Sequence, residues 1–245
     1  MPRLFVDKVD VEGATGAITG AELEHLRVLR LRPGDALVLF DSAGVEHEAR
    51  IDSYTNRAAE VRIIRSYRPE RESFLEVTLA QCVGKGEKMD WVVEKAVELG
   101  VQTIVPVLST YTIPRLEGTK ISKRRSRWAK IVLSAAKQSG RTSVPEIADI
   151  TGFADFVGRA WPHELKLMFW EGESSQGLVS LRRELANPRS VLLLIGPEGG
   201  FTDAEVKEAA QNGFRTIKLG KRILRTETAA IAAVAVVQSL WGDMG

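Results

Sequence analysis

The apolar pattern over residues 191–241 repeats one arrangement twice. Val191-Leu192-Leu193-Leu194-Ile195 is a continuous apolar run, broken by Gly196-Pro197-Glu198-Gly199-Gly200. Such a run predicts a buried parallel strand entering a tight loop. A helix follows: Thr202 and Glu205 have capping-box spacing, Phe201 and Val206 fit the hydrophobic staple, and Asn212-Gly213 is the stop. Residues 214–219 predict a second strand, leading into Gly220-Lys221-Arg222-Ile223-Leu224-Arg225. The helix that starts at Thr226-Glu227-Thr228 is apolar on every side from Ala229 to Val237, so it has to be covered all round. Two loops thus leave the carboxyl ends of successive buried strands, where open α/β sheets bind ligands.

The middle of the chain has the same logic. Period-two apolarity over residues 74–79 predicts a strand. Met89, Val92, Val93, Ala96 and Val97 form a helical stripe stopped by Gly100, and residues 101–108 predict another strand. Strand, helix, strand implies a parallel βαβ unit. Residues 120–130 are the most basic segment and belong to an amphipathic helix with Ser122 as its N-cap, Trp128, Ile131, Val132, Ala135 and Ala136 inward, and its end at Lys137-Gln138-Ser139-Gly140-Arg141. Residues 165–170 predict one more strand, ending at Trp170-Glu171-Gly172.

The N-terminal part is different. Residues 4–6, 36–40, 45–51 and 59–64 are strand-like, and one helix over residues 21–31 is stopped by Pro33-Gly34. Polar, proline-containing residues 66–73 read as a linker. The expected organisation is a β-rich unit over residues 1–70 and an α/β unit over 71–245.

Composition narrows the chemistry. The chain has 245 residues, 44% hydrophobic and 27% charged, with a formal net charge of only +2. Any contact with a polyanion therefore has to be local. A single cysteine, Cys82, excludes an internal disulfide and fits a reducing, cytoplasmic setting. No apolar run is long enough to span a membrane. The histidines, His25, His47 and His163, lack ligand spacing, so no metal site is expected. Gly84-Lys85-Gly86 lacks the third glycine of a dinucleotide loop and the G-K-[ST] of a phosphate loop. Cys82 reads as core. What remains is a pocket of loop backbone and apolar groups, with Glu198, Arg225, Glu227 and Thr228 as its polar members. That suits a flat heteroaromatic ligand better than a triphosphate. Arg27, Arg30, Lys85, Lys88, Gln138 and Arg141 read either as a solvated surface or as phosphate contacts.

The pair Leu194-Ile195-Gly196-Pro197-Glu198-Gly199-Gly200-Phe201 and Leu219-Gly220-Lys221-Arg222-Ile223-Leu224-Arg225-Thr226-Glu227-Thr228-Ala229 resembles the signature of the bacterial 16S ribosomal RNA uridine-N3 methyltransferases of the SPOUT superfamily. The resemblance extends to His25-Leu26-Arg27-Val28-Leu29-Arg30, Lys85-Gly86-Glu87-Lys88-Met89 and Gln138-Ser139-Gly140-Arg141. It departs after residue 108, where Ser109-Thr110-Tyr111-Thr112-Ile113-Pro114-Arg115 stands and Arg115 is read as a displaced basic residue.

The resemblance implies an α/β fold, a SPOUT trefoil-knot domain with a parallel sheet preceded by a small PUA-like β-barrel. It implies S-adenosylmethionine as cofactor, held by Leu194, Gly196, Gly200, Leu219, Gly220, Ile223 and Leu224, with Trp170, Glu171 and Thr228 beside it. It also implies a homodimer, and 16S ribosomal RNA within the small ribosomal subunit as partner. Arg225 is then expected to hold a uracil carbonyl or a flanking phosphate, and Glu227 to be either the base or the residue that orients Arg225. Glu198 is expected to bond loop backbone. Arg27, Arg30, Lys85, Lys88, Gln138 and Arg141 become the expected RNA contacts.

Overall fold

The structure is a computed structural model and describes residues 1–6, 14–113, 118–173, 176–185 and 187–245. It divides into two compact units. One comprises Met1–Glu72 with Ala136–Val144, the other Ser73–Ala135 with Pro145–Gly245.

The first unit is built on a sheet of strands β1 (Arg3–Phe5), β2 (Thr15–Ile18), β3 (Ala36–Phe40), β4 (Glu46–Tyr54) and β5 (Ala59–Tyr67), in the order β1-β3-β4-β5-β2. β1 pairs parallel with β3 and the other pairings are antiparallel. Period-two alternation sends Ala59, Val61 and Ile63 of β5 inward and Glu60, Arg62 and Ile64 outward. Leu4, Ile18, Leu37, Leu39 and Ile51 complete that core with Leu23 and Leu26 of helix α1 (Gly20–Val28).

α1 ends before the Pro33-Gly34 stop expected of it. Arg30 adopts φ 55°, its N–H bonds the Arg27 carbonyl at 3.0 Å, and the Leu31 N–H bonds the Leu26 carbonyl at 3.3 Å. This is a Schellman stop with arginine where glycine is usual.

Residues 66–73 are not a slack linker. Ser66 and Tyr67 belong to β5. Glu46, 1% exposed, accepts hydrogen bonds from Arg3, Tyr67 and Arg71. Glu72 accepts from Arg141 and from the backbone of Thr142 and Ser143. A charged, proline-containing stretch reads as solvated; here Arg71 and Glu72 pair with the buried Glu46 and Arg141, while Arg68 and Glu70 stay exposed.

The second unit holds a parallel sheet of β6 (Glu76–Cys82), β7 (Thr103–Leu108), β8 (Glu146–Ile147), β10 (Leu165–Phe169), β11 (Ser190–Ile195) and β12 (Arg215–Ile217) in the order β12-β10-β11-β6-β7-β8, with β9 (Thr151–Gly152) on β7. β11 is central and buried on both faces, as its continuous apolar run requires. Its helices are α2 (Lys88–Glu98), α4 (Phe153–Val157), α5 (Leu178–Glu184), α6 (Asp203–Gln211) and α7 (Thr226–Trp241), and it also takes most of α3 (Thr119–Ser139). Ser122 is not the cap of α3. It lies inside the first turns and its hydroxyl donates to the Thr119 carbonyl. Phe74, expected in β6, is 78% exposed, and the strand runs instead to Cys82.

α7 is fixed at both ends. Near its C-terminus Gln238 is fully buried; its Oε1 accepts from Ser73 Oγ at 2.8 Å and its Nε2 donates to the Leu99 carbonyl at 3.0 Å. Between the ends α7 buries Ala230, Ala233, Val234 and Val237, while Ile231, Ala232, Ala235 and Val236 stay half-buried. Among the described residues no helix is long and apolar enough to cross a membrane.

Candidate active site

Parallel pairing brings the carboxyl ends of β6, β10, β11 and β12 to one edge of the sheet. Four loops leave there, and two adjoining clefts open among them, with cavity volumes of about 160 and 380 Å³. The clefts share Phe169, Glu171, Ile223, Leu224 and Ala229, so they form one depression.

The glycine loop after β11 is shaped by its neighbours. Its helix signal holds in full: Thr202 Oγ1 accepts from the Glu205 N–H at 3.2 Å, and Glu205 Oε2 accepts from the Thr202 N–H at 2.9 Å. The other Glu205 oxygen accepts from the Thr110 N–H at 2.8 Å, which draws the loop after β7 to the start of α6. Phe201 and Val206 pack in the same core. At Gly200, φ is 72°, a backbone conformation that disfavours a side chain, and a Cβ would also displace the flexible Glu171 carboxylate.

The expected cofactor residues mostly meet. Trp170, Glu171, Leu219, Gly220, Ile223 and Leu224 line one cleft, and Gly196 and Gly200 line the other. Leu194 and Thr228 do not line them. Leu194 is 0% exposed, with its backbone between β6 and β10, and Thr228 is exposed on α7. Ile195, one residue on, reaches the cleft in place of Leu194.

The donor set fits S-adenosylmethionine. Phe169, Ile217, Leu219, Ile223 and Leu224 give apolar walls, the loops give backbone donors and acceptors, and Glu171 and Glu198 give negative charge for a cationic sulfonium. Among the described residues no group of His, Cys, Asp and Glu is arranged to hold a metal ion.

Arg225 is the N-cap of α7 and lines the cleft. It is exposed, and among the described residues its guanidinium has no hydrogen-bond or ion-pair partner. Glu227 lies in the first turn of the same helix with its side chain only 15% exposed, 3.6 Å from Lys88 Nζ. Lys88 Nζ also contacts Glu198 Oε1 at 2.9 Å, and that oxygen accepts from the Lys85 N–H at 3.1 Å. Burial alone would raise the Glu198 carboxyl. The Lys88 ammonium and the backbone N–H groups of Glu198 and Lys85 outweigh it and hold the carboxyl below its ordinary range. Cys82, 0% exposed, is pushed up to about 12, chiefly by burial, which removes it as a nucleophile.

The expected RNA contacts separate. Arg27, Arg30, Lys85 and Gln138 are exposed. Arg27 bonds Glu24 and the carbonyl of Asn56 while remaining 42% exposed in its side chain. Lys88 is bound to two carboxylates. Arg141 is a correction: it is 5% exposed and its Nη2 lies 2.5 Å from Glu72 Oε2, so it braces its unit and is closed to a phosphate. Arg115 lies outside the described residues.

Two further groups, without a motif of their own in the sequence, hold the site together. Gln81, 1% exposed, donates to Thr226 Oγ1 at 2.9 Å, and the Thr226 hydroxyl donates to the Gly196 carbonyl at 2.5 Å. Their signal is a lone amide near the end of a mostly apolar strand, opposite a helix-opening threonine.

Comparison with known proteins agrees with this geometry. The RNA methyltransferase domain family matches residues 71–238, and an RNA methyltransferase PUA domain family matches residues 18–64. Ribosomal RNA small subunit methyltransferase E of Bacillus subtilis is 33% identical over 97% of this chain and 96% of its own length. The protein of that name from Synechocystis is also 33% identical, over 97% of this chain and 77% of its own. A crystal structure of the Neisseria gonorrhoeae protein of that name, bound to S-adenosyl methionine, superposes with a TM-score of 0.90 at 38% identity, covering 100% of both chains. The fold class is therefore the expected one, a SPOUT trefoil-knot α/β domain with a parallel sheet, preceded by a PUA-like β-barrel. A glycine-loop depression of this build, on a chain matched along nearly its whole length, places the protein in the RNA methyltransferase family, and it belongs there as an S-adenosylmethionine-dependent member.

Proposed function

We propose that this chain methylates N3 of a specific uridine in 16S ribosomal RNA, acting in the cytoplasm as a homodimer on the small ribosomal subunit. The observation that supports this most is Arg225: a cation without a partner among the described residues, at the wall of the cofactor cleft and at the N-terminus of α7.

S-adenosylmethionine, when bound, supplies a methyl group already activated on a sulfonium. The chain has to place the uracil and deal with the N3 proton. Holding N3 in line contributes roughly 7–11 kcal/mol of barrier lowering. Arg225 bonds a uracil carbonyl and stabilises the imide anion as the proton leaves. Glu227 accepts that proton or fixes Arg225. Arg27, Arg30, Lys85 and Gln138, all exposed, are the RNA contacts in this reading.

The homodimer reading is supported by α7, whose residues Ile231, Ala232, Ala235 and Val236 keep an apolar face half-buried. A base-specific reaction also needs the uracil unstacked, which favours a single-stranded loop in the assembled particle.

The test is methyl transfer from labelled S-adenosylmethionine to small subunits lacking the modification, with the product nucleoside identified. N3-methyluridine is the expected product. A methyl group on another atom, or none, would reject the reading.

A further inference from the structure

The start of α2, the glycine loop after β11 and the first turn of α7 meet at one ammonium. Lys88 Nζ lies 2.9 Å from Glu198 Oε1 and 3.6 Å from Glu227 Oε2. We infer that Lys88 is a positioning residue for methyl transfer, a bridge that fixes Glu198 in the glycine loop against Glu227 at the start of α7, and is not an RNA-phosphate contact. The inference rests on the methyl-transfer reading above.

The trio is closely built. Glu198 Oε1 takes two donors, Lys88 Nζ and the Lys85 N–H. Gly84 lies against both side chains: a Cβ there would stand a tight 3.3 Å from Glu198 Oε1 and in ordinary contact, 3.6 Å, with Lys88 Cβ. The Lys88 side chain is 32% exposed and that of Glu227 only 15%. Among the described residues the buried Glu227 Oε2 has no hydrogen-bond partner, and Lys88 is the cation in ion-pair range of it.

The charge count points the same way. One ammonium between two carboxylates leaves the group net negative, which does not attract a polyanion. Lys85, three residues earlier and exposed, has no such partners for its ammonium among the described residues. Without Lys88, two carboxylates on separate segments lose their common cation. The segments they anchor are those that line the cofactor cleft and present Arg225.

The two roles separate in steady-state kinetics on unmodified small subunits across a salt series. For K88Q the expected result is a kcat lower by about 10²-fold, as small misplacements at a reacting centre produce, with KM for the subunit and its salt dependence unchanged. K88R, which keeps the charge, restores most of the loss. K85Q serves as the contrast: KM rises and the slope of log affinity against log salt falls by about one. If K88Q instead raises KM, lowers the salt slope by about one and spares kcat, the inference is overturned. It is equally overturned if K88Q changes nothing, or if K88R is as impaired as K88Q with an unaltered urea midpoint. Failure of the wild type to transfer a methyl group would reject the methyl-transfer reading itself and is distinguishable from all of these.

Discussion

The Thr226 hydroxyl donates a 2.5 Å hydrogen bond to the carbonyl of Gly196, thirty residues earlier. It thereby fastens the first turn of α7 to the glycine loop, and through Gln81 to the end of β6. Thr226 is 6% exposed. Thr226→Val keeps the shape and leaves the Gly196 carbonyl and the Gln81 amide without that partner. A loss of about 1–3 kcal/mol in urea unfolding is expected, with weaker S-adenosylmethionine binding in calorimetry. Thr226→Ser should retain most of both. Equal cofactor affinity in Thr226→Val would show that the bond does not shape the cleft.

Arg225 differs in kind, because it has no partner among the described residues to lose. Arg225→Ala should leave the unfolding free energy within about 0.5 kcal/mol, as for surface changes, while kcat falls by about 10²–10³-fold, the usual cost of one oxyanion donor. Glu227→Gln preserves the shape and removes the proton acceptor, so a comparable fall identifies Glu227 as base or orienter. Unchanged turnover in both variants would reject both assignments.

Arg30 sits in left-handed backbone at φ 55°, at the position of a helix stop that glycine normally takes. Such a conformation costs a non-glycine residue about 1–2 kcal/mol. Arg30→Gly should therefore stabilise the fold, by up to about 1 kcal/mol once glycine's greater unfolded-state freedom is subtracted. If the side chain holds RNA, the same variant weakens binding to small subunits and lowers the salt slope by about one. A more stable protein with unaltered RNA affinity would remove Arg30 from the interface.

The parts of the fold that were legible in the sequence have strong, local signals. β11 announced itself by five apolar residues against a glycine loop, and α6 by a capping box that the structure shows in both directions. β8 and β9 have two residues each and α4 has five, too short for any period to register. Gln81 and Gln238 were hidden for another reason. Each is a single amide in a mostly apolar element, and its importance lies in partners 145 and 165 residues away. Arg141 was misread because a helix-end arginine beside glycine looks the same whether it faces solvent or a carboxylate from residue 72.

The Arg141–Glu72 pair has its own consequence. Arg141 is 5% exposed and Glu72 26% in their side chains. Burial opposes the Glu72 charge, but the Arg141 guanidinium and the Thr142 and Ser143 N–H groups prevail and hold its carboxyl below the ordinary range. A carboxyl depressed in the folded state contributes stability above its unfolded value, about 4.3, and that contribution is lost as pH falls through the lower folded value. Removing one partner of a buried pair costs about 3–5 kcal/mol, and Glu72's partial exposure reduces this to about 2–3 kcal/mol for Arg141→Ala. Urea unfolding at neutral pH should show that loss, and the difference from wild type should shrink as the pH is lowered through the acid range, because the protonated Glu72 no longer needs its cation. Binding to small subunits should keep its wild-type salt slope. A lower slope with intact stability would return Arg141 to the RNA-contacting residues.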